Sequence, residues 1–157
     1  MFGRLFEQHV HKMLLLTRHQ VLSERDIINK FGNHITAIDH MIDLNNVVLC
    51  VQDKFQQANI SISQLNHFTH TVNCVSDITN KKCIGIYLSK SGLSKPCIES
   101  MSFENSKNKN YYKSIYSNSE DELLFRFALY LYDNNLYLYE ENGDIVMLDI
   151  ENKRVKF

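Results

Sequence analysis

Apolar positions in the first twenty residues recur every three to four: Phe2, Phe6, His9, Met13 and Leu16, widened by Leu5, Val10 and Leu14. That spacing predicts an amphipathic helix over 2–20. Ser23 followed by Asp26 has the form of a helix start, so 24–31 reads as a short second helix closed by Gly32. The period then changes. ITAIDHMI (35–42) and NVVLCVQDKF (46–55) are apolar and β-branched, and Asp43-Leu44-Asn45-Asn46 between them has hairpin-turn composition. Helical spacing returns over 61–76, with Ile62, Leu65, Phe68, Thr69, Val72 and Val75 on one face. KCIGIYLS (82–89) reads as a third strand, apolar enough to be buried on both sides and ended by Ser91-Gly92. Another helix is predicted from Pro96 to Met101.

The remainder divides the chain. Residues 1–103 form the expected core, and 104–119, rich in Asn, Ser and Lys, read as a linker or loop. Residues 120–157 are aromatic and β-branched with breaks near 133–135 and 142–144. They read as a β-rich extension packed on the core, with a helix over 120–130 as the alternative. Tyr130, Tyr132, Tyr137 and Tyr139 suit cross-strand aromatic pairing before base stacking or a dimer face.

Composition narrows the classes. At 157 residues there is room for one domain and a modest appendage. One proline, five glycines and 44% hydrophobic residues exclude a low-complexity or collagen-like chain. Seventeen Lys and Arg against 18 Asp and Glu give a net charge of −1, so any phosphate must be met by a local patch. The apolar run Met13–Leu16 falls far short of the ~18 residues of a membrane span, and the N-terminus lacks a signal-peptide cleavage site. Cys50, Cys74, Cys83 and Cys97 have no Cys-x-x-Cys spacing, which argues against zinc. Reduced thiols, an intracellular location and no membrane partner are expected.

The unusual residues sit on the hairpin. With the turn centred between Leu44 and Asn45, Asp43 faces Asn46 and Asp39 faces Cys50. Asp39 then shares a face with Cys50, Gln52 and Lys54. A carboxylate, an amide oxygen and an ammonium converging on one surface suit phosphodiester hydrolysis. A hard cation takes Asp39, Gln52 and a neighbouring backbone carbonyl, while Lys54 orients water or steadies phosphate oxygens. Glu7 adds a carboxylate if the first helix packs over the hairpin. Asp53 lies on the opposite face, so its backbone carbonyl, not its side chain, is the candidate ligand. Ser89, Lys90 and Lys95 follow a strand end, where such residues grip phosphate. His67 and His70, three apart on a helix, suit DNA or metal, although surface histidines are the simpler use.

These segments resemble the PD-(D/E)xK nucleases of the restriction endonuclease-like fold, in particular the Mrr-like type IV restriction branch. The resemblance runs over roughly residues 3–101. GRLFEQHVHKML looks like that branch's opening helix with its glutamate at Glu7, TAIDHMI supplies the metal-binding aspartate Asp39, and VLCVQDKFQ carries the Gln-x-Lys pair as Gln52 and Lys54. ISQLNHFTHTV resembles the helix that follows, and CIGIYLSKSGLSKP the next strand. A weaker likeness is to nuclease-like proteins of large DNA viruses. The resemblance implies an α/β fold with an αβββαβ core, a mixed sheet flanked by helices, and Mg²⁺-dependent DNA cleavage with Mn²⁺ as an alternative. Cutting both strands takes two active sites, which makes a homodimer the expectation, and the intracellular place expected from the thiols would be cytoplasmic or at the DNA. Gln52 departs from the commoner Asp or Glu, which leaves a degenerate module that binds nucleic acid or protein as the alternative. The strand expected before Asp39 has no clear counterpart, since 24–31 reads as helical.

Overall fold

The computed structural model describes residues 2–15, 17, 19–134, 139–141, 144–148 and 154–156. Leu16 and Tyr137, named above, lie outside them, as do positions 135, 142 and 143 of the expected breaks. The chain opens with α1 (Phe2–Leu15), whose buried stripe is Phe6, Val10, Met13 and Leu14, while Leu5 and Leu15 are half exposed. A three-residue strand, β1 (Val21–Ser23), leads into α2 (Glu24–Phe31). Here the Ser23 hydroxyl accepts from the Asp26 N–H, and the Asp26 carboxylate accepts from the Ser23 N–H. Such a reciprocal cap stabilises a helix start by about 1 kcal/mol. β1 is the strand that the sequence concealed before Asp39.

Strands β2 (His40–Asp43) and β3 (Val47–Lys54) form the hairpin. Its register differs from the expected one by two residues: Met41 pairs with Cys50, and Asp43 with Val48. The turn is Asn45-Asn46, with Asn45 in the left-handed region at φ 74° and the Leu44 N–H donating to Val47 O at 2.9 Å. Asp39 therefore does not face Cys50. A shift of two preserves side-chain faces where a shift of one would invert them. The segment 35–39, expected as strand, is a loop leading into β2.

Helix α3 (Ile62–Thr79), capped by Ser61 and Gln64, buries Leu65, Phe68, Val72 and Val75 and leaves Ile62 exposed. It leads to β4 (Lys82–Ser89), then to α4 (Lys95–Ser106). The stretch 104–119 is not a linker. It completes α4 and forms β5 (Tyr111–Tyr116), paired parallel to β4. Residues 120–133 are helical, α5 (Glu120–Asp133), capped by the Ser119 hydroxyl. The meander expected beyond is a separate three-stranded antiparallel sheet of β6 (Tyr139–Glu141), β7 (Asp144–Leu148) and β8 (Arg154–Lys156).

The main sheet runs β1-β2-β3-β4-β5, antiparallel through β3 and parallel thereafter. The architecture is α/β, a five-stranded mixed sheet flanked by helices. On one face α1 and α5 pack against Ile42, Leu49, Val51, Ile86 and Leu88. On the other, α3 and α4, with Ile27 of α2, cover Met41, Val48, Cys50, Cys83 and Tyr87. All four cysteines are free thiols, three of them buried. No helix among the described residues is long and apolar enough to cross a membrane.

Gly85 on β4 lets two aromatic rings close over the sheet. A Cβ there would lie 2.8 Å from the Tyr112 ring and 3.2 Å from Phe68. Gly85→Ala is expected to destabilise the fold by about 1–3 kcal/mol through overpacking. Urea denaturation, read as a lower midpoint at unchanged slope, checks this.

Candidate active site

Asp39 occupies the loop residue before β2, and its N–H donates to Val51 O at 2.8 Å. The β2–β3 register, carried one residue back, sets it against Gln52. Its carboxylate Oδ2 accepts the Asp53 N–H at 2.8 Å. With the Gln52 amide assigned so that its nitrogen faces the two neighbouring acceptors, it donates to Asp39 Oδ2 at 3.1 Å and to Ala37 O at 2.6 Å. Ala37 sits at φ 68°, a left-handed conformation at the bend that delivers Asp39. One oxygen thus receives two N–H donors from β3, and the amide oxygen of Gln52 remains as an acceptor.

On the opposite face, Asp53 Oδ2 meets His40 Nε2 at 2.6 Å, each side chain 2% exposed. Asp53 is therefore tied from both sides: its peptide to Asp39, its carboxyl to His40. Burial pushes the Asp53 carboxyl up and the His40 imidazole down, which favours an uncharged pair. The His11 ring lies 5.7 Å from that of His40, and burial followed by the His40 charge lowers its pKa.

Two clefts meet at Asp39. The first, about 530 Å³, is lined by Glu7, His11 and Lys12 of α1 with Ser23, Glu24, Asp39 and His40. In it, carboxylate oxygens of Glu7, Glu24 and Asp39 lie within 4.8 Å of one another. The second, about 280 Å³, is lined by Glu24, Thr36, Ala37, Asp39, Gln52, Lys54, Gln64, His67 and Tyr87. Asp39, Gln52 and Lys54 thus share a face and a cleft, and Glu7 reaches Asp39 from the helix layer.

The other expected residues are placed differently. Ser89 aligns with Lys54 across β3–β4 but is 1% exposed, and its hydroxyl donates to Ser91 O at 2.9 Å. Lys90 rests over the Phe55 ring at 5.6 Å, and Lys95 is exposed at the start of α4. Neither lines the two clefts. His67 does line the second, with Nε2 2.8 Å from the Thr36 hydroxyl. His70 pairs instead with the Cys74 thiol at 3.7 Å.

Glu24, His40 and Tyr87 went unread in the sequence. Glu24 reaches the site because β1 pairs Ser23 with His40, which carries the next residue towards Asp39. A three-residue strand gives no periodicity to detect. His40 was legible by alternation, since it shares the Leu49–Val51–Asp53 face.

Burial first, then the neighbouring Asp53 and Glu7 carboxyl groups, raise the Asp39 pKa to about 7, against the lowering effect of the Asp53 N–H. Three crowded carboxylates fit a hard divalent cation, which prefers oxygen ligands and would relieve their repulsion. No protein-family model, curated protein or solved structure matches the chain. The site therefore rests on its own geometry.

The raised pKa fixes a sign. Folded Asp39 keeps its proton to about pH 7, against the ordinary 3.8. Between those values the folded state binds more protons, so its contribution to stability falls as pH rises from about 4 to 7 and stays low above. Asp39→Asn keeps an acceptor for both N–H donors and removes the charge. It is expected to melt above the wild type at pH 8, with the gap closing by pH 5. Thermal denaturation at both pH values checks this, and a pH-independent gap would contradict it.

Proposed function

We propose that the protein is a divalent-metal-dependent DNA endonuclease on a restriction endonuclease-like αβββαβ plan. The observation that carries the reading is the double role of Asp39. It stands with Glu7 and Glu24 in a carboxylate cluster, and with Gln52 and Lys54 in the adjoining cleft. The element order from α1 to β4, with α2 inserted between the first two strands, supports the same plan.

Glu7, Glu24 and Asp39, with the Gln52 amide oxygen and the Asp53 carbonyl as further candidates, would hold Mg²⁺ or Mn²⁺. When bound, such an ion supplies an activated water and neutralises charge on the reacting phosphate. The chain's own contribution is positional and electrostatic. The Asp53 and Gln52 N–H groups fix the Asp39 carboxylate before substrate arrives. Lys54 is half-buried, and no salt bridge or hydrogen bond holds its ammonium among the described residues. It is therefore available to a phosphate oxygen, where developing negative charge is stabilised most. Cutting both strands of a duplex would engage two copies of the chain.

A second reading is a binding module of the same fold that has lost catalysis. The observation favouring it is Gln52: a neutral amide whose N–H groups are already spent on Asp39 and Ala37.

Nicking of supercoiled plasmid separates the two. The wild type is expected to nick in Mg²⁺ or Mn²⁺, with Asp39→Ala and Lys54→Ala each slower by roughly 100-fold or more. Activity unchanged in both variants ends the nuclease reading. Mn²⁺ is also expected to raise the melting temperature of the wild type but not of Asp39→Ala. A folded wild type that neither nicks nor responds to the cation favours the binding module.

A further inference from the structure

Tyr87 occupies the central strand β4, in register with Gln52 on β3. Its side chain is fully buried, with the ring edge-on to Phe68 at 5.3 Å. The hydroxyl is buried with it and has no hydrogen-bond partner. An unsatisfied buried hydroxyl costs about 1–3 kcal/mol, and phenylalanine would fill the same volume without that cost. Nothing in the packing calls for the oxygen.

The surroundings suggest what does. Tyr87 lines the smaller cleft together with Lys54, Gln64 and His67. Lys54 contributes an ammonium. The Gln64 Oε1 is engaged by the Ser61 N–H at 2.9 Å, which leaves that side chain its N–H donors. Burial and the Asp39 charge raise the Tyr87 pKa, so the phenol stays protonated and can only be recruited as a neutral partner. Glu24, Asp39 and Gln52 line the same cleft, and among its groups the ammonium, the Gln64 amide N–H and the phenol O–H are the ones that match an oxyanion.

We propose that the Tyr87 hydroxyl donates a hydrogen bond to a non-bridging oxygen of a phosphate seated beside Lys54, so that this cleft is a phosphate subsite. The identification of the phosphate as part of a nucleic-acid backbone rests on the nuclease reading; the oxyanion chemistry does not. Glu24 and Asp39 line both clefts; the Glu7 side adds a further carboxylate, and the Tyr87 side adds the donors that would meet a phosphate.

The test uses the full chain as wild type, Tyr87→Phe and Lys54→Ala. In metal-free buffer, inorganic phosphate is expected to raise the melting temperature of the wild type, with the rise diminished in both variants. Without phosphate, Tyr87→Phe is expected to melt at or above the wild type, because the orphaned hydroxyl is gone. In plasmid nicking with Mn²⁺, Tyr87→Phe is expected to slow cleavage by about tenfold or more, the scale of one hydrogen bond to a charged oxygen. The Mn²⁺ concentration for half-maximal rate should not change. A wild type that ignores phosphate overturns the proposal, as does a Tyr87→Phe variant with full phosphate response or with a clearly lowered melting temperature in plain buffer. A phosphate response lost in the variants, with no nicking by the wild type, supports the subsite and overturns the nuclease reading instead. Nicking by Tyr87→Phe at the wild-type rate overturns the subsite and leaves the nuclease reading standing.

Discussion

The hydrogen bond from the Asp53 peptide to the Asp39 carboxylate fixes where the candidate chemistry sits. It exists because the two-residue turn at Asn45 sets the β2–β3 register and brings the loop before β2 alongside the far end of β3. The same Asp53 is clamped through its side chain by His40 on the reverse face. One residue is thus gripped by both helical layers' sides of the sheet, and the carboxylate it holds inherits that rigidity. Pre-set geometry of this kind is what a reacting group needs if reorganisation is to be small.

The arrangement stores unfavourable electrostatics. Glu7, Glu24 and Asp39 crowd their oxygens together, and burial raises Asp39 in spite of the N–H it accepts. A fold selected for stability alone would place neutral or apolar groups there. Sites that receive a ligand commonly carry this kind of penalty, because the ligand removes it. The core supplies the compensating stability through two apolar layers, one beneath α1 and α5 and one beneath α3 and α4.

Much of this was legible in the sequence, for identifiable reasons. The third strand was read with its bounds at 82–89 because both its faces are covered and its residues are apolar throughout. The common face of Asp39, Gln52 and Lys54 survived a misplaced turn because the error was an even number of residues. β5 was hidden because its edge position lets Tyr111, Lys113 and Tyr116 stay exposed amid Asn, Ser and Lys. Its outer backbone is met by Asn105, whose side chain exchanges hydrogen bonds with Tyr112 N–H and C=O at 2.7 and 3.0 Å. That contact blunts the edge without any apolar signal. In α5 the aromatic run LLFRFALYLY suggested strands, yet Ser119 ahead of Glu120-Asp121-Glu122 was a helix start in plain view.

The orientation of the Gln52 amide bears on which side chains that place in β3 can hold. In the orientation its neighbours require, both of its hydrogens point at oxygens, one on Ala37 and one on Asp39. A glutamate there would confront those two acceptors with nothing to offer them, and would set two anions face to face in a poorly hydrated corner. The amide is therefore not interchangeable with a carboxylate. Placing an acid there would first require the bend at Ala37 to be rebuilt, so the neutral residue and the shape of the loop around it depend on each other.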